Sequence, residues 1–494
     1  MPILKLWQNS QCREISFTGT PVLAALLQQQ GIHAPHPCGS RGFCRKCAIR
    51  AEGALSDLTA AEERAGTRLS CQTVVLGDAE VWLREDAGTV ETAGNTPVLG
   101  TAMAGHFGAA VDIGTTTIAL KLYDLTTGVL LAEEGVMNPQ RSVAADVMGR
   151  IGAAMEGKLP ALQDMVTEEV WILLCNACLA AQITREQIGS LVITGNTTML
   201  YLLTGRDPGC LAAAPFRADC LFDVSDTLFD IPVYYPACMD AFVGADITCA
   251  VLDSGMHRKE ETSLLCDIGT NGEIALWKDG TLYVASTAAG PAFEGAGISC
   301  GCGSVPGAID RVWLDQGKIS VHTIGEERTV GLCGSGLVDA IAAFLETGDI
   351  DETGAVENDT LPLTDSIALI PADVRAVQLA KGAIAAGIRT LLELAELPVE
   401  KVDRLYIAGG FGSHLNTDSA AAIGLIPQQL KDRAVILGNS ALSGAARLLL
   451  DQKLVAEAEN LAQNAVHVTL SGNNRFNRHF MNSMLFGECD TAED

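Results

Sequence analysis

Two stretches of the sequence share one pattern: GAAVDIGTTTIALKLYDLTTG at residues 108–128 and SLLCDIGTNGEIALWKDG at residues 263–280. In each, an apolar strand ends in Asp-Ile-Gly-Thr, a tight turn follows, and a second strand runs into another glycine turn. A repeated hairpin indicates a duplicated domain. Small turn residues leave backbone N–H groups and hydroxyls open to phosphate oxygens. The repeat therefore predicts two facing loops that clasp one nucleotide.

The repeat also supplies candidate site residues. Asp112 and Asp267 end the two strands, and a carboxylate in that position can hold Mg²⁺ directly or through water. We predict that both lie beside the phosphates of the nucleotide and that Mg²⁺ is a cofactor. The predicted phosphate-binding residues are Gly114, Thr115, Thr116, Gly269, Thr270 and Asn271.

A second pattern, HPCGSRGFCRKC, places Cys38, Cys44 and Cys47 close together, and Cys71 follows in RLSCQT. Four thiolates suit either tetrahedral zinc or an iron-sulfur cluster. Structural zinc usually takes two C-x2-C pairs, whereas only one such pair is present here. The spacing resembles that of plant-type and adrenodoxin-type ferredoxins, in which a loop and a later strand hold a 2Fe-2S cluster. Zinc is the alternative.

The segments around these cysteines predict a β-grasp ferredoxin domain over residues 1–85. ILKLW and REISF alternate like two strands, VLAALLQQQ reads as a helix, and KCAIRAE and AEVWL read as later strands. Cys12 lies outside the cysteine pattern and is expected in the core.

Composition restricts the classes of function. The 494 residues predict about three domains. The net charge of -27 disfavours nucleic acid and anionic lipid surfaces as partners. The N-terminal segment lacks a charged region followed by a long apolar one, so a cytoplasmic location is expected, with no membrane association.

The remaining chain reads as a linker and a large second domain. Residues 86–107 are rich in Gly, Thr and Ala and are expected to form a flexible tether. An ATPase domain is predicted over 108–475, with lobes at about 108–240 and 241–475, and residues 476–494 are expected to fray.

The duplicated hairpin resembles the acetate kinase, sugar kinase, heat-shock protein and actin superfamily of two-lobed ATPases, which implies a duplicated RNase H-like fold. By this resemblance, the turn in RLYIAGGFGSHL receives the adenosine, and GLCGSGLVDAIAAFLETG forms a helix connecting the lobes. The resemblance implies that the nucleotide is ATP and that Asp112 and Asp267 are catalytic. Asp146 would face the cleft as a third catalytic residue, and Lys381 would reach the nucleotide. The further cofactor-binding residues implied are Gly334, Ser335, Gly409, Gly410 and Gly412.

A 2Fe-2S domain fused to such an ATPase resembles the reductive activators of corrinoid proteins in anaerobic methyl metabolism. VITGNTTMLYLLTG, AGPAFEGAGISCG and ILGNSALSGA also fit that family. Two departures stand out. About 20 residues replace an extra middle domain of longer members, and Cys302 and Gly303 stand where a Met-Arg pair is expected.

The family resemblance implies ATP-dependent transfer of one electron from the 2Fe-2S cluster to Co(II), which regenerates Co(I) for methyl transfer. The implied partners are a corrinoid protein of a methyltransferase system, an upstream electron donor and a possible second copy of the chain. One alternative is a small-molecule kinase with a regulatory redox domain. Others are an activator of a different radical enzyme or metalloenzyme and a passive redox or nucleotide sensor.

Overall fold

A computed structural model describes residues 2–8, 11–29, 48–65, 67–82, 92–411 and 414–487. The predicted ligands Cys38, Cys44 and Cys47, and also Gly412, lie outside these residues. The chain divides into two compact units, which are described separately. The first unit holds Met1–Ala87 and Glu168–Gln187, and the second holds Gly88–Thr167 and Ile188–Asp494.

The N-terminal part of the first unit is a β-grasp sheet with strand order β2-β1-β5-β3-β4. Its elements are β1 (Ile3–Gln8), β2 (Gln11–Ser16), α1 (Leu23–Gln29), β3 (Ala48–Leu55), α2 (Ala60–Ala65), β4 (Arg68–Leu69) and β5 (Val75–Trp82). Strands β1 and β5 are parallel, and β1 with β2 and β3 with β5 are antiparallel. The alternation of apolar residues along β1 buries Leu4 and Leu6 in a core shared with Leu23 of α1. Cys12, expected in this core, is exposed on β2.

The second unit begins with a mixed sheet of strand order β10-β11-β9-β6-β7-β8. Its strands are β6 (Phe107–Ile113), β7 (Thr117–Asp124), β8 (Leu130–Met137), β9 (Ile188–Gly195), β10 (Val224–Leu228) and β11 (Ile231–Tyr235). The helices in this part of the chain are α3 (Val147–Ala153), a π-helical turn (Ala154–Lys158), α4 (Leu159–Ala180), α5 (Thr197–Thr204) and α6 (Ala245–Ser254).

A second mixed sheet has the strand order β21-β20-β12-β13-β14-β22, in which the first five strands repeat the order and directions of β11-β9-β6-β7-β8 and the sixth strand lies at the opposite edge. Its strands are β12 (Ser263–Ile268), β13 (Gly272–Lys278), β14 (Thr281–Thr287), β20 (Arg404–Ala408), β21 (Ala434–Gly438) and β22 (Val466–His467). In both sheets an antiparallel hairpin starts the unit, and a later strand pairs in parallel with its first strand. The register sets Asp112 beside Thr194 and Asp267 beside Ala408, so the two carboxylates occupy equivalent strand ends. The predicted duplicated actin-like architecture is confirmed.

The other elements lie around these sheets. The strands are β15 (Ala308–Asp315), β16 (Lys318–Thr323), β17 (Gly331–Leu332), β18 (Leu361–Pro362) and β19 (Ala368–Leu369). The helices are α7 (Gly334–Thr347), α8 (Pro371–Leu394), α9 (Thr417–Ala422), α10 (Ser440–Leu450), α11 (Leu454–Asn464) and α12 (Asn474–Asn482). Within the described ranges, none of the helices combines the length and apolar character that a bilayer-spanning segment needs.

The predicted boundary between the lobes needs correction, because α10 packs on the first sheet although it follows the second in sequence. Ala445 and Leu449 of α10 share a buried core with Ala110 and Val192. A Cβ on Gly444 would lie 2.0 Å from the carbonyl oxygen of Cys249, so α10 and α6 approach as closely as only glycine allows.

The structure describes the predicted tether from residue 92 onward. Residues from 92 onward lie along α10 instead of forming a flexible linker. The Met103 N–H donates to the Leu449 carbonyl at 2.9 Å, and the Gly100 N–H donates to the Leu450 carbonyl at 3.0 Å. The composition of this segment indicated a linker, but its backbone groups find partners on the helix.

The predicted frayed tail also needs correction, since residues 474–487 include α12 and pack on α8. Arg478 Nη2 donates to Glu393 Oε2 at 2.7 Å, and Phe486 is buried. Arg475 and Arg478 of this segment both pair with the carboxylate of Glu393 on α8.

Candidate nucleotide site and iron-sulfur module

A cavity in the second unit lies where the hairpins of the two sheets end. It is bounded by residues from both phosphate loops, from the start of α7 and from the turn after β20. The predicted residues that line it are Asp112, Gly114, Thr115, Thr116, Asp267, Gly269, Thr270, Asn271, Gly334, Ser335, Gly409 and Gly410.

The two phosphate loops contact each other directly. Thr116 Oγ1 and Thr270 Oγ1 are 3.2 Å apart. Both hydroxyls donate to the same atom, Glu294 Oε2, at 2.7 and 2.8 Å, and the Thr270 N–H donates to Glu294 Oε1 at 3.2 Å. A single carboxylate therefore bridges the loops of the two sheets.

The first loop is held from behind by polar side chains. Asn196 Nδ2 donates to Thr115 Oγ1 at 3.1 Å, and Asn138 Nδ2 donates to the Gly114 carbonyl at 2.8 Å. Arg150 Nη2 donates to the Thr115 carbonyl at 2.6 Å, although the Arg150 side chain is fully buried. Burial lowers the pKa of Arg150 to about 10, so the guanidinium stays charged at neutral pH. The loop is thus fixed before a ligand arrives.

Replacing Arg150 with Lys should weaken ATP binding by about tenfold or more, because a charged hydrogen bond contributes roughly 1.5–3 kcal/mol. The guanidinium also reaches Gln140 Oε1 and the Ala144 carbonyl, and an ammonium cannot reproduce that fork. Titration calorimetry with ATP measures the change. Arg141→Lys, an exposed position on the preceding turn, is the control. Equal affinities in the two variants would contradict this role.

Asp112, Asp246, Asp267 and Glu273 line the cavity together with Glu294. Burial raises the pKa of Asp112, Asp246 and Asp267 to about 7 each, and a neighbouring carboxylate adds to the effect in every case. Burial likewise raises the pKa of Glu273. Oxygen ligands with excess negative charge are the chemistry that Mg²⁺ prefers.

The turn after β20 approaches Asp267 as closely as glycine permits. Gly409 has φ of +91°, and a Cβ there would lie 2.6 Å from Asp267 Oδ1. Next to it, the Phe411 ring stacks on Phe293 with centroids 5.0 Å apart. Gly334 packs against the backbone of Phe293 and the ring edge of Phe411. A Cβ on Gly334 would lie 1.8 Å from the Phe293 carbonyl oxygen. These contacts bring the turn after β20, the start of α7 and the segment around Phe293 together along the cavity.

Two predicted residues lie elsewhere and are not among the described residues that line the cavity. Asp146 is exposed, and its carboxylate caps α3 by accepting from the Gly149 N–H at 2.8 Å. Lys381 is buried, where Nζ donates to the Leu485 carbonyl and lies 5.3 Å from the centre of the Phe486 ring. The structure thus corrects the expectation that either faces the nucleotide.

Several residues that line the cavity were not predicted from the sequence. They are Asp246, Glu273, Glu294, Asn196 and Asn439. A signal existed for the two asparagines. Each follows a strand that ends in glycine, precedes a hydroxyl residue and caps a helix, in TGNTT and LGNSA. Cys302 and Gly303, where the sequence departs from the family pattern, also line the cavity.

In the first unit, the described ligand candidate Cys71 is buried in the turn that follows β4. The turn is tied to α1, because the Ala24 N–H donates to the Ser70 carbonyl at 2.8 Å. A buried carboxylate, Glu62, holds its other side by accepting from the Leu69 N–H and from Thr73 Oγ1. The turn that carries Cys71 is therefore held on both sides.

Family models match all three parts of the chain. Residues 8–76 match the 2Fe-2S iron-sulfur cluster binding domain, residues 107–259 match the RACo middle region, and residues 261–493 match the C-terminal domain of RACo, the ASKHA domain. A 2Fe-2S domain followed by an actin-like nucleotide-binding unit is the class of protein that this fold and site define.

Known proteins narrow the class. The chain is 33% identical to the corrinoid activation enzyme RamQ of Eubacterium limosum over 77% of this chain and 70% of that protein. It is 26% identical to the Co(II) methylated amine-specific corrinoid protein reductase of Methanosarcina barkeri over 76% of both chains. A solved reductive activator for corrinoid, iron-sulfur protein superposes with a TM-score of 0.72 at 26% identity over 99% of both chains. The chain belongs to the RACo family of corrinoid protein activators.

The middle region of the family is present in this chain. Residues 107–259, which match it, largely coincide with the predicted first lobe and include the strands of the first sheet. That about 20 residues stand in place of an extra domain between the 2Fe-2S domain and the ATPase domain stays a prediction.

Proposed function

We propose that this chain reductively activates a corrinoid protein of a methyltransferase system at the expense of ATP. The observation that carries the proposal is the union, in one chain, of a 2Fe-2S domain with a nucleotide site in which two phosphate loops meet at Thr116 and Thr270. The names of the related proteins support the same reaction. An upstream protein reductase and a homodimeric assembly are further parts of the proposal.

Mg²⁺ fits the carboxylates that line the cavity. Asp112 and Asp267 would hold the ion, with Asp246 and Glu273 nearby, since their raised pKa values reflect burial and mutual repulsion that a cation relieves. The bound ion would neutralise charge on the phosphates.

A 2Fe-2S cluster would be held by Cys71 together with Cys38, Cys44 and Cys47. It would supply the single electron. The fit is supported by the burial of Cys71 in a turn that is fixed on both sides, by α1 and by Glu62. Glu62 positions this turn.

ATP is needed because the reduction of Co(II) is uphill. Plant-type clusters lie near roughly -400 mV. For a potential gap of about 200 mV, one electron costs about 4 to 5 kcal/mol, taking roughly 1.4 kcal/mol for each 59 mV. A ligand shifts a conformational equilibrium by that amount when it prefers one state by about 10³- to 10⁴-fold. Closure of both loops on a terminal phosphate is a suitable source of that preference.

The contacts of Asn439 provide a route from the nucleotide site to the segment that follows the 2Fe-2S domain. Asn439 Nδ2 donates to Asp112 Oδ2 at 3.1 Å, and its Oδ1 accepts from the Leu442 N–H at the start of α10. The Asn439 N–H donates to the Ala93 carbonyl at 2.8 Å. Movement at Asp112 would therefore reach residues 93–95 through one side chain.

Replacing Gly94 with Ala should lower the Co(I) formed per ATP hydrolysed by about fivefold or more, the lower end of usual coupling energies. An added Cβ would lie 2.2 Å from Ser443 Oγ and 3.0 Å from the Asn439 carbonyl oxygen, so the segment must shift off α10. Gly94 does not touch the cavity, so ATP hydrolysis itself should stay within about twofold. Thr96→Ala, at an exposed position of the same segment, is the control. An unchanged ratio would contradict this route.

The proposed function is tested by the response of ATP hydrolysis to the state of the corrinoid. The Co(II) form of a corrinoid protein should stimulate phosphate release, whereas the methylated form should not. Phosphorylation of a small metabolite without any response to corrinoid proteins would favour the kinase alternative.

A further inference from the structure

We propose that Glu294 is a catalytic residue that orients the water attacking the terminal phosphate of ATP and takes its proton. This inference rests on the nucleotide site of the proposed function and assigns a chemical role within it. Glu294 lies in AGPAFEGAGISCG, outside the duplicated hairpins.

The carboxylate of Glu294 lies between the two phosphate loops. Glu294 Oε2 accepts from the hydroxyls of Thr116 and Thr270, one from each phosphate loop, and both loops line the cavity. Both hydroxyls can donate to this oxygen, because a carboxylate oxygen accepts more than one hydrogen bond. The carboxylate therefore sits at the point where the two loops come nearest to each other.

The Glu294 carboxylate and a terminal phosphate would compete for the same hydrogen-bond donors. A terminal phosphate needs the same Thr hydroxyls and the same Thr270 N–H that Glu294 now occupies. When phosphate oxygens take these donors, the carboxylate loses its hydrogen bonds but stays beside the phosphate. Its ready acceptors are then available to a water molecule in line with the terminal phosphorus.

The backbone that carries Glu294 is held in place by its neighbours. Glu294 ends a short 3₁₀ turn, Pro291–Glu294, whose Phe293 is buried and stacks on Phe411. Thr270 also binds the start of this turn, because the Gly290 N–H donates to the Thr270 carbonyl at 2.9 Å. A backbone fixed on both sides therefore holds the carboxylate between the two phosphate loops.

The step balances without another reactant. The water oxygen bonds to the terminal phosphorus, the bond from that phosphorus to the oxygen of the ADP leaving group breaks, and one water proton passes to Glu294. Inorganic phosphate and ADP leave, and Glu294 returns its proton to solvent.

The test compares Glu294→Gln and Glu294→Ala with the unchanged chain, using ATP hydrolysis for kcat and calorimetry with ATP for affinity. Glutamine keeps an acceptor for both threonines but cannot take a proton. We expect kcat to fall by about 100-fold or more in both variants, the usual range for a lost general base. ATP affinity in Glu294→Gln should stay within about threefold. Glu357→Gln, an exposed carboxylate, is the matched control.

Two results would overturn the assignment. A kcat within about threefold of the unchanged chain in Glu294→Gln would mean that no proton transfer is lost. A loss of ATP binding in Glu294→Gln, with unchanged thermal melting, would mean that Glu294 only positions the loops. Absence of ATP hydrolysis in the unchanged chain would instead refute the proposed function, and the inference with it.

Discussion

Replacing Asp267 with Asn should slow ATP hydrolysis by at least about 100-fold, because several kcal/mol of stabilisation of charge by a metal ion is lost with the carboxylate. Asp267 ends β12, is enclosed by Gly409 and faces Asp246 and Glu294. An amide of the same shape fits this space but provides no charge for a cation. ATP-dependent formation of Co(I) should disappear with the hydrolysis, while the absorption of the 2Fe-2S domain stays unchanged.

The same substitution should make the fold more stable without divalent cations. Burial and neighbouring carboxylates raise the pKa of Asp267 to about 7, above its unfolded value, so ionisation destabilises the folded state increasingly as pH rises towards 7. The melting temperature of Asp267→Asn should therefore exceed that of the unchanged chain by more at pH 8 than at pH 5.

Asp279→Asn provides a matched control for both measurements. Asp279 is exposed in the turn between β13 and β14, and its φ of +49° suits asparagine equally well. Hydrolysis by Asp267→Asn within about threefold of this control would remove Asp267 from the nucleotide site.

Replacing Cys71 with Ser should abolish electron delivery and leave ATP hydrolysis intact. Serine is a poor ligand for iron, and Cys71 is buried on the turn between β4 and β5. We expect Co(I) formation to fall by at least about 100-fold as the 2Fe-2S absorption is lost. Iron and sulfide analysis of anaerobically purified protein, alongside phosphate release, separates the two activities.

Cys12→Ser is the control, since Cys12 is exposed on β2 of the same unit and lies outside the cysteine pattern. It should keep iron, sulfide and Co(I) formation. One zinc per chain without sulfide in the unchanged protein would restore the zinc alternative, and normal iron content in Cys71→Ser would require a different fourth ligand.

The duplicated hairpins were predictable because their information is local. Strand alternation, the Asp-Ile-Gly-Thr ends and the glycine turns all lie within about twenty consecutive residues, and the structure places Asp112 and Asp267 at equivalent strand ends. The same holds for the β-grasp elements around Cys71.

The direction of helical side chains was not predictable in this way. Asp146 and Lys381 lie on helices whose sequence fits either a solvent-facing or a cavity-facing position, and only tertiary packing decides between them. Asp146 caps its own helix, and Lys381 is covered by residues 485–486 from the far end of the chain. A charged residue on a helix therefore does not by itself indicate a position in the nucleotide site.

The missed residues have a second cause. Glu294 lies in an irregular segment with no period, and Asn439 joins Asp112 across 327 positions of sequence. Contacts of that kind depend on how α10 returns to the first sheet, which the order of elements does not reveal. The Gly-Asn-hydroxyl pattern indicated a helix cap but not its proximity to a carboxylate.

The most direct test of the central claim follows the Co(I) absorption band after mixing chemically reduced protein with a Co(II) corrinoid protein, with and without Mg-ATP, in the absence of oxygen. Co(I) should accumulate when Mg-ATP is present. It should not accumulate when ATP is omitted, nor in the Asp267→Asn variant. Equal accumulation of Co(I) without ATP would contradict the account, because the nucleotide site would then play no part in the reduction.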